Sequence, residues 1–204
     1  GGGRGGSTMD LQVGHSLHLD GRLENTGSDA TDANSGGGSG GAIFVETTLF
    51  AGHGVVNVTG GSGQDRGGGG AGGRIAVHVN WLREFAGTYE AFGGYGGLAS
   101  EATNNYPGEA GAAGTVYYTD SNDGLDQREA IMRGDVLVGF KDGHTQLILD
   151  NDNRNHHLAT VITDETNGFF EFDEVHLHNH VTAIFHNTTA TVIVHKFEGD
   201  RTGR

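Results

Sequence analysis

Three histidines, His176, His178 and His180, alternate with Leu177 and Asn179. In a strand this spacing puts all three imidazoles on one face, about 6.6 Å from one to the next. Imidazoles at i and i+2 can share a transition-metal ion, and His156, His157, His186 or His195 could complete its shell. A solvent-facing polar stripe opposite Val175, Leu177 and Val181 gives the same alternation without any ligand. The turns beginning at Asp150-Asn151-Asp152 and Asp120-Ser121-Asn122 are rich in the hard oxygens that Ca2+ requires. Neither keeps EF-hand spacing, because Arg154 occupies a ligand position in the first and Gly124 arrives one residue early in the second. Ordinary Asx-turns are the simpler reading of both. No cofactor is expected, and Ca2+ on Asp150 and Asp152 is the first ion to test.

Two acceptor sequons, at Asn57 and Asn187, would carry glycans if their side chains face outward in an exported protein. Tyr89, Phe92, Tyr95 and Tyr106 lie near glycine-rich returns, where rings can stack on sugars or on a neighbouring subunit, or bury between layers. Catalytic signals are weak. Acidic pairs such as Asp164-Glu165 and Asp173-Glu174 are adjacent in sequence, so in a strand their side chains diverge. No nucleophile elbow, zinc helix or phosphate-binding strand-turn-helix motif is present. The chain is not expected to be an enzyme.

The elements that would position these residues are strands. Three related units begin at Gly5-Gly6, Gly40-Gly41 and Gly72-Gly73, and a fourth at Ala113-Gly114. Each reads as a glycine pair, an alternating strand, a short corner, a second strand and a glycine-rich return. In the first unit the predicted strands are 7–13 and 16–19; in the second 42–49 and 55–59; in the third 74–81 and 88–92; in the fourth 115–119. Ile43, Val45 and Thr47 oppose Phe44, Glu46 and Thr48 with the two-residue period of a strand. Helical periodicity is confined to one turn near Trp81 to Phe85. Glycine runs such as 67–73 are expected to supply φ > 0 at corners and close approach of neighbouring backbones. From about Asp135 the texture becomes ordinary β-sequence, with strands predicted over 136–140, 146–149, 158–163, 169–178, 181–186 and 190–197.

Composition narrows the setting. Of 39 glycines, 32 lie in residues 1–118, so residues 1–119 form a glycine-rich part and 120–204 a glycine-poor one. A single proline argues against collagen and polyproline II segments. A net charge of −14 offers no basic stripe for nucleic acid and disfavours an anionic membrane. No apolar run is long enough to span a membrane. Cysteine is absent, so disulfides and thiolate metal sites are excluded. The chain opens on Gly1 without an initiator Met and reads as a segment of something longer.

The phrases at 36–45, 52–61, 68–77, 85–94 and 113–118 together resemble the glycine-rich repeats of very large secreted or cell-surface proteins of protists, algae, invertebrates and some bacteria. That resemblance implies a right-handed parallel β-helix and an extracellular setting, and carries no catalytic residue. Right-handedness also follows from the general rule for parallel crossovers. The expected fold is therefore an all-β, right-handed parallel β-solenoid with glycine-rich turns. For the C-terminal half a β-sandwich is the alternative. The expected function is a structural segment of an extracellular filament, stalk or appendage, self-associating by stacking of rungs, since neither end carries an obvious polar cap. A glycan-binding surface adhesin and a β-helical polysaccharide lyase or hydrolase are the alternatives.

Overall fold

The computed structural model describes residues 1–98, 107–120, 144–154, 158–163, 168–186 and 190–200. The strand expected over 136–140 lies outside these residues. The described residues are all-β. Twelve strands run β1 (Thr8–His18), β2 (Arg22–Glu24), β3 (Ala42–Gly52), β4 (Val55–Asn57), β5 (Arg74–Phe85), β6 (Thr88–Glu90), β7 (Thr115–Asp120), β8 (His144–Asp150), β9 (Ala159–Thr163), β10 (Phe169–His178), β11 (Thr182–His186) and β12 (Thr191–Gly199). They make a seven-stranded sheet ordered β1-β3-β5-β7-β8-β10-β12, a three-stranded sheet β2-β4-β6 and a two-stranded sheet β11-β9.

Each of the first three glycine-rich units contributes one long strand to the large sheet and one short strand to the three-stranded sheet, all parallel, and the fourth adds β7 to the large sheet. Thr8 aligns with Ala42, Ala42 with Arg74 and Arg74 with Thr115. This register makes Gly6, not Gly5, the counterpart of Gly40. In the first unit β1 is one strand through His18 with a shifted register between Val13 and Ser16, and the short strand is 22–24, not 16–19. Trp81 to Phe85 is strand rather than helical turn, because Leu82 to Phe85 pair in register with Leu49 to Gly52.

The core of the first half lies between the large and the three-stranded sheets. Ile43, Val45 and Thr47 of β3 and Ile75, Val77 and Val79 of β5 point inward and are buried. Phe50 and Phe85 stack at 4.2 Å between ring centroids. Full burial of each such side chain stabilises the fold by about 1.5–3 kcal/mol relative to exposure.

Glycine does its work away from the corners. Among the described glycines only Gly52 and Gly168 have positive φ, so the glycine runs do not serve mainly as left-handed turns. They form paired legs instead: an inbound leg ahead of each long strand and an outbound leg after each short one. Inbound legs bond from unit to unit through Gly3 N–H to Gly36 O, Gly37 N–H to Gly68 O and Gly69 N–H to Glu109 O, at 2.8–3.0 Å. A second set zips inbound to outbound legs, with Gly38 donating to Ser28 O, Gly61 to Gly38 O, Gly70 to Gly61 O, Gly94 to Gly70 O and Gly111 to Gly94 O. Within one leg, Gly37 and Gly40 donate in one direction and Gly38 and Gly41 in another. That three-residue period is the period of polyproline II geometry, not the two-residue period of a strand. A Cβ at Gly61 would lie 2.0 Å from Ser28 O, so the close approach itself demands glycine.

Chain direction reverses at β7, which pairs antiparallel with β8. Beyond it β8, β10 and β12 are parallel to one another, as are β9 and β11, unlike the antiparallel sheets of the sandwich alternative. The core also changes face. Val116 and Tyr118 of β7 and Ile148 of β8 pack on the first core. Tyr117, Leu147 and Leu149 join a second core with Phe170, Phe172, Val175 and Leu177.

Candidate functional site

The densest polar cluster lies on the face of β8, β10 and β12 that is opposite the second core. Inward positions on β10 are Phe170, Phe172, Val175 and Leu177, so the alternation slips at Asp173-Glu174 and two acidic residues fall together outside the core. Parallel register then sets Gln146, Glu174 and Lys196 side by side, and likewise Ile148, His176 and Glu198. Glu174 Oε2 accepts from Gln146 Nε2 at 2.9 Å and lies 2.8 Å from His176 Nε2. Its other oxygen is 3.3 Å from Lys196 Nζ and 3.7 Å from His144 Nε2. Glu198 joins Lys196 at 2.8 Å and His176 Nδ1 at 3.3 Å. The hydrogen bond from His176, with those from Lys196 and Gln146, holds the Glu174 carboxyl down at about 2. Such a group stays ionised near neutral pH, and its bonds to Gln146, His176 and Lys196 tie β8, β10 and β12 together. Asp173 is tied separately, accepting from Thr145 N–H and Oγ1 at 2.7 and 2.9 Å.

The three-histidine stripe does not form. His176 and His178 lie on β10 with rings stacked at 6.1 Å, but the strand ends at His178. Asn179 and His180 both have left-handed φ, 57° and 60°, so His180 turns away with the chain. His156 and His157 lie outside the described residues. Among the described residues no group of three or more His, Asp or Glu is placed to hold a metal ion.

The proposed Ca2+ turn is a stitched Asx-turn. Asp150 Oδ1 accepts from Asp152 N–H at 2.9 Å and Asn179 Nδ2 at 2.7 Å, while Asp152 lies 3.5 Å from the Arg154 guanidinium. The turn docks the second half on the glycine legs. Buried Asn151 accepts from Gly93 N–H at 3.0 Å and donates to Arg154 O at 2.9 Å. Arg154 donates to Gly93 O at 2.8 Å and lies over the Tyr95 ring at 4.3 Å. Of the second oxygen-rich turn, residues 121–126 lie outside the described residues.

Asn57 is 8% exposed and accepts from Thr59 N–H at 2.8 Å, so the outward-facing glycan acceptor expected there is instead an interior side chain. Asn187, Tyr106 and Asp164-Glu165 lie outside the described residues. Tyr89 packs on the first core, and its burial pushes the hydroxyl up to about 12. Sequence reasoning missed Gln146, Lys196 and Glu198 because only the 28- and 22-residue offsets of the parallel register bring them to Glu174. Comparison with family models, with curated proteins and with solved structures finds no match.

Proposed function

We propose that the chain is a structural segment of an extracellular filament, stalk or appendage, its units wound as a right-handed parallel β-solenoid. The observation that carries this reading is the glycine-leg array, in which backbone hydrogen bonds join unit to unit along one axis outside the two sheets as well as within them. Such an array spends its polar groups on internal cohesion. The charged cluster on β10 is likewise consumed by its own partners.

Association with a neighbour runs through β12. This edge strand is exposed along most of its length, with Val192 38%, Ile193 37% and Phe197 63% accessible. An uncovered edge with apolar side chains recruits another strand. Sedimentation velocity and negative-stain microscopy over a concentration series test the reading. Growth of end-joined particles, abolished by Phe197→Lys, is the expected result. Persistent monomers with specific affinity on a glycan array would favour the adhesin instead, and turnover of uronate polymers would favour the lyase.

A further inference from the structure

We infer that Arg4, Ser7 and Ser28 close the N-terminal end of the stack, making the first unit a terminal cap that admits no further unit of its own kind. This rests on the solenoid reading above. Register equates Arg4 with Gly38, Gly70 and Gly111, and Ser7 with Gly41, Gly73 and Gly114. It equates Ser28 with Gly61 and Gly94. Every later unit has glycine at these positions for one reason. A Cβ at Gly38, Gly70 or Gly111 would stand 2.0 Å from the carbonyl oxygen of Arg4, Gly38 or Gly70 in the preceding unit. At Gly41, Gly73 and Gly114 the corresponding distances are 2.2, 1.9 and 1.9 Å, and at Gly61 and Gly94 they are 2.0 and 1.9 Å.

The first unit carries a Cβ at all three. A preceding unit in the same register would have to place its carbonyls where those Cβ atoms stand. Glycines that face the first unit's own legs or the next unit are kept: Gly3 is crowded by Ser28 O at 2.0 Å, Gly6 by Gly41 N at 2.5 Å and Gly27 by Gly38 O at 1.9 Å. Loss of glycine falls on the outer side of the legs, while the corner glycine Gly21 is retained.

Side chains of the first unit also take hydrogen bonds that carbonyls of the preceding unit take in later units. Gly38 and Gly41 N–H donate to the Ser28 and Asn25 carbonyls of the preceding unit at 2.9 and 2.8 Å. Their counterparts Arg4 and Ser7 donate instead to side-chain oxygens, Ser28 Oγ at 2.7 Å and Asn25 Oδ1 at 2.9 Å. Asn25 stands where later units have Val58 and Ala91. Its Nδ2 also donates to Ser7 O at 2.6 Å and Ala42 O at 3.0 Å. A side-chain oxygen taking an orphaned backbone N–H is the logic of a helix N-cap, applied here to a stack. What remains on this side of the legs are the carbonyls of Gly2, Gly5, Thr26 and Asp29, counterparts of the acceptors Gly36, Ser39, Thr59 and Ser62. Two copies meeting by these legs would oppose acceptor to acceptor.

Hydrogen exchange read by mass spectrometry tests the cap. One extra copy of residues 36–67 is joined directly to Gly2 of the full chain, which keeps the unit spacing. The fusion is made in the natural sequence and with Arg4→Gly, Ser7→Gly and Ser28→Gly together. The extension is expected to exchange at unstructured rates in the natural background and to slow at least tenfold in the triple variant. Protection of the extension in the natural background overturns the inference. So does lack of protection in both, since removal of the three Cβ atoms then opens nothing. Should the triple variant not fold, Ser28→Gly alone supplies the second arm, with the same criterion. Rapid exchange throughout residues 36–73 of the unextended chain would instead defeat the stacked reading itself.

Discussion

Gly61→Ala tests the claim that the legs are glycine because of contact distance rather than turn geometry. The new methyl would stand 2.0 Å from Ser28 O and 2.3 Å from the Ser28 carbonyl carbon, both backbone, so no side-chain rotation relieves it. Reaching ordinary contact at 3.4 Å requires the two outbound legs to separate by about 1.4 Å, the difference of the two distances. That shift stretches the bonds that join these two legs, Gly27 N–H to Thr59 O and Ala30 N–H to Ser62 O, both now 2.9 Å, beyond bonding range. At about 1 kcal/mol net for each bond, the loss is about 2 kcal/mol, with more if a donor is left buried and unpaired. Gly36→Ala is the matched control, because its methyl would meet nothing nearer than Gly68 O at 3.4 Å. It is expected to be neutral or stabilising by up to about 1 kcal/mol through the unfolded chain. Urea unfolding followed by circular dichroism, with the slope m checked for constancy, measures both. Equal midpoints for the two variants would refute the reasoning.

The clamp on β10 makes stability pH-dependent. Glu174 titrates at about 2 in the folded chain against 4.5 unfolded, so its contribution is fully present above about pH 4.5 and is lost as pH falls through 2. Glu174→Gln should therefore lower stability at pH 7 and flatten the acid limb of the urea midpoint against pH; an unchanged limb would show that the network does not hold β12. Asn151→Ala removes the acceptor of the buried Gly93 N–H and is expected to destabilise the junction by about 1–3 kcal/mol. Native-state hydrogen exchange should report faster opening of residues 144–150 in that variant, whereas a change confined to β1 would contradict the assigned joint.

The strand pattern of the middle units was legible because Ile43, Val45, Ile75 and Val77 alternate cleanly and their register repeats after 32 residues. The start of the first unit lies one residue from its sequence reading for a physical reason: Ser7 occupies a glycine position, so the glycine pair that marks the next two starts is absent there. The legs were harder still. Glycine composition does not distinguish flexible corners from close-packed extended segments, and the difference resides in contacts between residues about 32 apart. For the site, His176 was identifiable as a polar strand residue, but its partners Glu174 and Glu198 depend on a slip in alternation and on parallel pairing. The loss of His180 from the stripe followed from two consecutive left-handed residues that composition does not announce.

The change of core face at the β7–β8 pair bears on cooperativity. Ile148 packs with the first core, whereas Leu147 and Leu149 on either side of it pack with the second. Three consecutive residues of one strand are thus read by two different folding units, and the strand cannot leave either without exposing apolar surface in the other. Opening energies of the two halves are coupled through this ladder as well as through the Asn151 and Arg154 contacts with Gly93. A lesion at either core is transmitted as a shared loss of protection rather than as a local melt.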